Sequence, residues 1–201
     1  MAITRGYCTL SEVKAACRIP STDTNEDTMI ESVIEGASRR IDGYCGRFFY
    51  QVTTALSIYP SSIYSTAIPD LSTGAGITVK TDTKCDGTFA TTWTSGQYML
   101  NPTDTALNGH PYTRIVAIGG YTFPMYILPQ IPTLQITGVW GWAAIPDDIR
   151  EACVLLSMRM YSRYNAPLGV AGFSDMGAIT VRTIDPDVRD LLNPYQIIAT
   201  A

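Results

Sequence analysis

The chain has 201 residues, 46% hydrophobic and 16% charged, with fourteen Lys and Arg against eighteen Asp and Glu for a net charge of −4. This is enough chain for one large domain or two small ones with a real core. The acidic balance and the lack of a basic cluster argue against a protein that grips nucleic acid by displacing phosphate counterions. No apolar run reaches the roughly 18 to 20 residues of a membrane span.

Met1 to Gly6 lacks the apolar core of a signal peptide, so synthesis in the cytosol without export is expected. Thr9-Leu10-Ser11-Glu12 is a capping box, in which Thr9 takes an amide of the first turn and Glu12 reaches back. It predicts a short helix ended by Ile19-Pro20. A second helix is expected from near Glu26, with Ile30, Val33, Ile34, Ala37, Ile41 and Tyr44 on one face. Glu35 and Arg39 stand i, i+4 in the favourable order on the solvent side. Ser32, Gly36 and Gly43 form a second stripe of small residues. Each glycine costs the helix roughly 1 kcal/mol, which predicts a closely approaching neighbour in compensation. Cys45-Gly46 ends the helix by a glycine C-cap.

From Phe48 the period changes. Residues 51–140 hold seven charged side chains and seventeen threonines, a composition of short strands and turns. Ile77–Thr81 and Thr88–Trp93 alternate, with Asp86-Gly87 read as the hairpin turn between them. Tyr98–Leu100, Thr113–Ile118 and Leu134–Trp140 are further strands, and Pro124, Pro129 and Pro132 break a long loop before the last. After Pro146 the helical period returns. Ile149, Ala152, Cys153, Leu156 and Met160 form one face, and Val154, Met158 and Tyr161 form a second, so this helix has two apolar sides to bury. Asn165 to Gly169 stops it. Ala178–Arg182 reads as a short strand, and Asp185-Pro186 starts a last helix ended by Asn193-Pro194.

The pattern predicts an α+β protein: a discontinuous small α-helical core from residues 1–50 and 141–201, with 51–140 as an inserted β-rich region. Trp140 and Trp142 would anchor the junction where the β region rejoins the helices.

Catalytic chemistry finds little support. His110, the one histidine, lies in the turn Asn108-Gly109-His110-Pro111 with no nominated partner, so neither a nucleophile–histidine set nor general acid–base work is suggested. Five cysteines (Cys8, Cys17, Cys45, Cys85, Cys153) show no CxxC spacing, and they read as reduced, mostly buried thiols with no metal site expected. Asp82, Asp86 and Gly87 lack the acidic series of a calcium loop. Asp147-Asp148 complements a helix N-terminus. Gly74-Ala75-Gly76 and Gly119-Gly120 lack a phosphate-loop lysine. No cofactor is expected, and the chain reads as a non-enzyme.

Several segments match a known pattern. Leu10–Lys14 and Ile34–Arg47 resemble the opening of phage head–tail connector proteins. Trp142–Ala152, Asn165–Phe173 and Ile184–Val188 resemble their closing half. The order is the same, with a variable region between. The resemblance implies a small helical bundle and a structural adaptor of the virion neck, made in the host bacterial cytoplasm. Subunits of that family form a homo-oligomeric ring of about twelve copies around the DNA exit channel, below the portal protein. It implies portal docking through the C-terminal segment (Asp185, Val188, Leu191, Leu192, Tyr195, Ile197 and Ile198). The other face of the ring would meet the next neck or tail protein. The long β region departs from the smallest family members.

The residues themselves supply two differing surfaces for head-to-tail closure: Val154, Met158 and Tyr161 on one side, Ser32, Gly36 and Gly43 on the other. A chain without a basic patch suits a channel that passes DNA without sequence-specific binding. The alternatives are another neck or tail protein, such as a terminator or stopper, and a phage binding module whose β region contacts a glycan or host surface.

Overall fold

The computed structural model describes residues 2–125, 131–165 and 185–197. The chain divides into two compact units, one of Met1–Phe49 with Ile145–Ala201, the other of Tyr50–Ala144. Mixed helix and strand content is observed, with helices in the first unit and antiparallel strands in the second.

In the helical unit, α1 spans Leu10–Ala16 and opens on the expected capping box: the Glu12 amide donates to Thr9 Oγ1 at 3.2 Å and the Thr9 amide donates to Glu12 at 2.7 Å. It ends before Pro20 is reached, because Arg18 turns the backbone left-handed at φ 58°. Helix α2 spans Asp27–Cys45 and closes on Gly46 at φ 68°, a conformation that suits a residue without Cβ. Ile30, Ile34, Ala37, Ser38, Ile41 and Cys45 are its buried residues. Helix α4 spans Asp147–Asn165, and α5 (Pro186–Leu192) runs into a 3-10 turn at Asn193–Tyr195. Ile149, Ala152, Cys153 and Leu156 of α4 meet Val188 and Leu192 of α5 and the α2 face in one buried core.

The expected cap at Asp185 takes another form. Its side chain makes no capping bond and pairs with Arg159 of α4, a charge–charge contact that fixes the start of α5 on its neighbour. The expected strand Ala178–Arg182 lies outside the described residues, as do residues 166–173 of the connector-like pattern and the Pro129 part of the expected loop.

The β unit is a seven-stranded antiparallel sheet ordered β4-β3-β7-β2-β6-β5, with β1 on β7. Its strands are β1 Val52–Ile58, β2 Ser65–Leu71, β3 Thr78–Thr81, β4 Thr91–Trp93, β5 Tyr98–Asn101, β6 Tyr112–Ala117 and β7 Leu134–Trp140, with a one-turn helix α3 at Thr105–Asn108. β7 is central: β1 pairs along its whole length from Val52↔Trp140 to Ile58↔Leu134, while β3 and then β2 share its other edge. At Gly138, between the β3 and β2 pairings, an added Cβ would lie 2.9 Å from Leu71 and 3.2 Å from Ile77, so the bare backbone makes room for both.

Two strands have no counterpart in the sequence reading. β1 is mostly exposed Thr, Ala and Ser without clean alternation, and β2 contains Pro69. Proline cannot donate to a ladder, and the β2–β6 register shifts between Ala67 and Leu71, where Pro69 falls. The β3–β4 connection also differs from a tight Asp86-Gly87 hairpin. It is a longer loop organised by buried Asp82, whose carboxylate accepts the amides of Lys84 at 3.0 Å, Cys85 at 2.8 Å and Gly87 at 2.7 Å. A carboxylate engaged by three amides needs no calcium to explain it.

Candidate assembly surfaces

The N-terminal segment is strapped onto α2. Glu35 accepts the amides of Thr4 and Arg5, at 2.5 and 2.8 Å, and Arg39 donates to the Arg5 carbonyl at 2.9 Å while pairing with Asp42 at 3.1 Å. The solvent side of α2 thus holds a chain segment that spacing alone did not nominate. Tyr7 is buried, its hydroxyl bonded to Asp42 and accepting the Phe49 amide at 2.9 Å, with its ring edge-on to Phe49 at 5.6 Å. Burial, then the bond to Asp42, drive the Tyr7 phenol far above its ordinary range. Burial raises Asp42 as well, against the lowering effects of Tyr7 and Arg39.

Beneath this strap lies a small polar cluster in the core. The Tyr7 amide donates to Ser38 Oγ at 3.0 Å, and Ser38 donates to the Ile34 carbonyl at 2.8 Å. Ser38 Oγ is 3.4 Å from Cys153 Sγ, and Cys8 Sγ donates to Cys153 Sγ at 3.2 Å. That donation, with burial, raises the Cys8 thiol strongly, and the same bond lowers Cys153. The two share a proton, so they move in opposite directions.

The two candidate lateral stripes differ in burial. Val154, Met158 and Tyr161 are half-buried on α4, and the Tyr161 hydroxyl is hydrogen-bonded to Glu26 at the start of α2. Ser32 and Gly43 are exposed on α2. The expected close backbone neighbour is not found at either glycine among the described residues. A Cβ at Gly36 would meet only the Met160 methyl, at 3.3 Å, and one at Gly43 would meet nothing within 4 Å.

The C-terminal residues divide in the same way. Val188 and Leu192 are 2% and 0% exposed and serve the core of the helical unit, so they offer no docking surface while it is folded. Their spacing puts them on the inner face of α5, which the sequence reading assigned to a partner. Leu191 and Tyr195 are half-buried. Tyr195 donates to Asp148 at 3.1 Å and meets Phe49 edge-on at 5.8 Å. Ile197 donates its amide to the Cys45 carbonyl at 2.8 Å, which places it over Gly46, yet its side chain remains 48% exposed. Asp185 is bound to Arg159, and Ile198 lies outside the described residues.

In the β unit, Trp140 and Trp142 are both buried. Trp140 Nε1 donates to the Thr54 carbonyl at 2.9 Å and Trp142 Nε1 to Asp70 at 3.2 Å, so each ties β7 or its exit to another part of the sheet. His110 is exposed, 5.2 Å edge-on from Trp142. Tyr59, Ile63 and Tyr64 in the β1–β2 loop, with Tyr121 and Met125 after β6, are exposed apolar residues that the sequence reading passed over. The two loops meet, since the Phe123 amide donates to the Ile63 carbonyl at 2.7 Å. The run Tyr-Pro-Ser-Ser-Ile-Tyr was the available signal, being large and apolar within a turn composition.

Among the described residues, no three His, Cys, Asp or Glu come together as metal ligands. No described helix is long and apolar enough to cross a membrane.

Sequence comparison finds a likeness at the start of this architecture. Residues 7–73 match the family model described as phage gp6-like head-tail connector protein, which covers α1, α2, β1 and β2 and agrees with the resemblance carried by the first two helices. No curated protein matches the chain. Solved structures extend the likeness over the full length. The chain is similar to a subunit in the neck of an empty gene transfer agent (GTA) particle computed with C6 symmetry, at TM-score 0.59 and 18% identity, covering 100% of this chain and 95% of that one. It is also similar to one in the neck of the native GTA particle computed with C12 symmetry, at 0.55 and 17%, covering 100% and 94%. A chain of the native GTA virion matches at 0.57 and 18%, covering 100% and 95%. At these identities the likeness is one of fold.

Proposed function

We propose that this chain is a structural adaptor of a virion neck. It forms an oligomeric ring between the portal of a phage-like particle and the next neck or tail protein, passes DNA without binding its sequence, and catalyses nothing. The carrying observation is the agreement of two matches: the connector pattern over residues 7–73, and a fold shared along the whole chain with neck subunits. In this reading residues 1–50 and 141–201 are the connector core, a small helical bundle, and 51–140 are a β-rich insertion in it.

Head-to-tail closure needs two unlike lateral surfaces. The half-buried stripe of Val154, Met158 and Tyr161 is one, and Ser32, Gly36 and Gly43 form the other. Portal docking falls to Ile197, supported by Leu191 and Tyr195. The net charge of −4 suits a passage that must not retain a polyanion.

Co-expression with a portal protein from the same phage or prophage, followed by negative-stain imaging and native mass spectrometry, should yield rings seated on the portal. A chain that stays monomeric and ignores the portal would sink the proposal. Ile197→Asp should weaken portal binding while preserving the fold, because the side chain is exposed and its anchoring hydrogen bond uses only backbone.

A further inference from the structure

Cys8 and Cys153 are 145 positions apart, yet their sulfur atoms lie 3.2 Å from each other in the core, with Cys8 5% and Cys153 0% exposed. Neither is in a disulfide. Closing the gap to the roughly 2.05 Å of a disulfide needs about an ångström of side-chain motion. The backbone on one side is already held: the Tyr7 amide is fixed to Ser38, and Tyr7 itself to Asp42. Cys153 is held in turn within α4, in contact with Ser38. Residues 4–7 are held mainly by hydrogen bonds to α2 and to Phe49, with a backbone hydrogen bond from Tyr7 to Cys153, and a bond from Cys8 to Cys153 would add a covalent tie to α4.

We propose that Cys8 and Cys153 form a latent redox clasp, open while the chain is in a reducing cytosol and closed by a peroxide once it enters an oxidising medium, fastening the N-terminal strap to α4. The setting rests on the neck reading, since a released particle leaves the compartment that keeps thiols reduced. The chemistry does not. One thiolate attacks a peroxide oxygen, breaking the O–O bond and leaving a sulfenic acid and hydroxide, which takes up the thiol's proton as water. The second sulfur attacks the sulfenic sulfur, forming the S–S bond and expelling a second water. Two thiols and one hydrogen peroxide give one disulfide and two waters, with the two electrons passing from sulfur to oxygen.

The test uses the reduced full chain, treated with hydrogen peroxide, alkylated and mapped under non-reducing conditions by mass spectrometry. The expected product is a Cys8–Cys153 cross-linked peptide, absent after Cys8→Ser and retained after Cys45→Ser. Oxidation should raise the melting temperature of the helical unit by about 5 °C or more, because a long loop is closed in the unfolded chain. Dithiothreitol should reverse the rise. Mapped disulfides that use other cysteines, sulfinic acid at either residue without a cross-link, or a lowered melting temperature would overturn the clasp. None of these needs the portal, so the clasp can fail while the neck reading stands. In particles that contain the chain, trapping thiols by alkylation should find the cross-link after release into the medium and free thiols in cell extracts. Free thiols in released particles would overturn the proposed setting, whereas particles lacking the chain would count against the neck reading and leave the peroxide result to decide the clasp.

Discussion

Gly141→Ala isolates one backbone contact in the β unit. Gly141 sits directly after β7 at φ 105°, and an ideal Cβ there would fall 2.0 Å from the Tyr50 carbonyl oxygen and 2.9 Å from its carbon. The neighbour is backbone, so no rotamer change relieves the clash. Holding a non-glycine residue in this φ region costs about 1–3 kcal/mol. Forced displacement of packed backbone adds about 1–3 kcal/mol. A combined loss on the order of 2–6 kcal/mol is a large share of the stability of a unit of about 100 residues. At about 4–8 °C per kcal/mol, the melting temperature should fall by at least about 8 °C. The assay is favourable, because all three tryptophans (Trp93, Trp140 and Trp142) lie in the β unit, so intrinsic fluorescence follows that unit alone. A Trp-detected midpoint within about 3 °C of the unsubstituted chain, less than 1 kcal/mol by the same scale, would refute the reasoning.

The helical unit gives three further expectations. Gly43→Ala meets open space and should raise stability by about 0.5–1 kcal/mol through helix propensity, read from the helical circular dichroism signal; ring assembly lost in the same variant would place Gly43 at a subunit contact. Leu192→Ala should cost about 2–5 kcal/mol as a core deletion, whereas Ile197→Ala should leave thermal stability nearly unchanged, and denaturant titration of both variants checks the contrast. Burial and the hydrogen bond to Asp148 push Tyr195 from 10.0 up to about 12. A folded-state value above the unfolded one means that this stabilisation is complete below pH 10 and is lost as pH rises toward 12. Tyr195→Phe should therefore flatten the alkaline decline in stability, and an equal decline in both proteins would count against the assignment.

Several parts of the fold were legible from short signals. The Thr9–Glu12 box, the Gly46 cap, the Pro146-Asp147-Asp148 start of α4 and the alternation of β7 each act through residues within one turn or one strand, so a few contiguous side chains suffice to read them. The assembly surfaces were less legible. The connector resemblance offered Val188 and Leu192 as docking residues, but residue order could not say that α5 packs on α4 and α2 and buries them, because that depends on elements elsewhere in the chain. β1 and β2 were invisible for a related reason. An edge strand of exposed Thr and Ser, and a strand interrupted by proline, are selected by pairing with β7 and β6 rather than by their own pattern.

What the amino-acid sequence determined by itself was the mixed composition, the helix ends, the change of period at Phe48 and again at Pro146, and the resemblance to connector proteins. These are properties of local backbone preference and of residue order. Only the tertiary structure decided that Asp82 organises a loop, that Tyr7 and Asp42 hold a strap, that Gly43 faces open space, and that Cys8 meets Cys153. Each of those depends on which distant atoms arrive within a few ångströms, and packing of the whole chain fixes that.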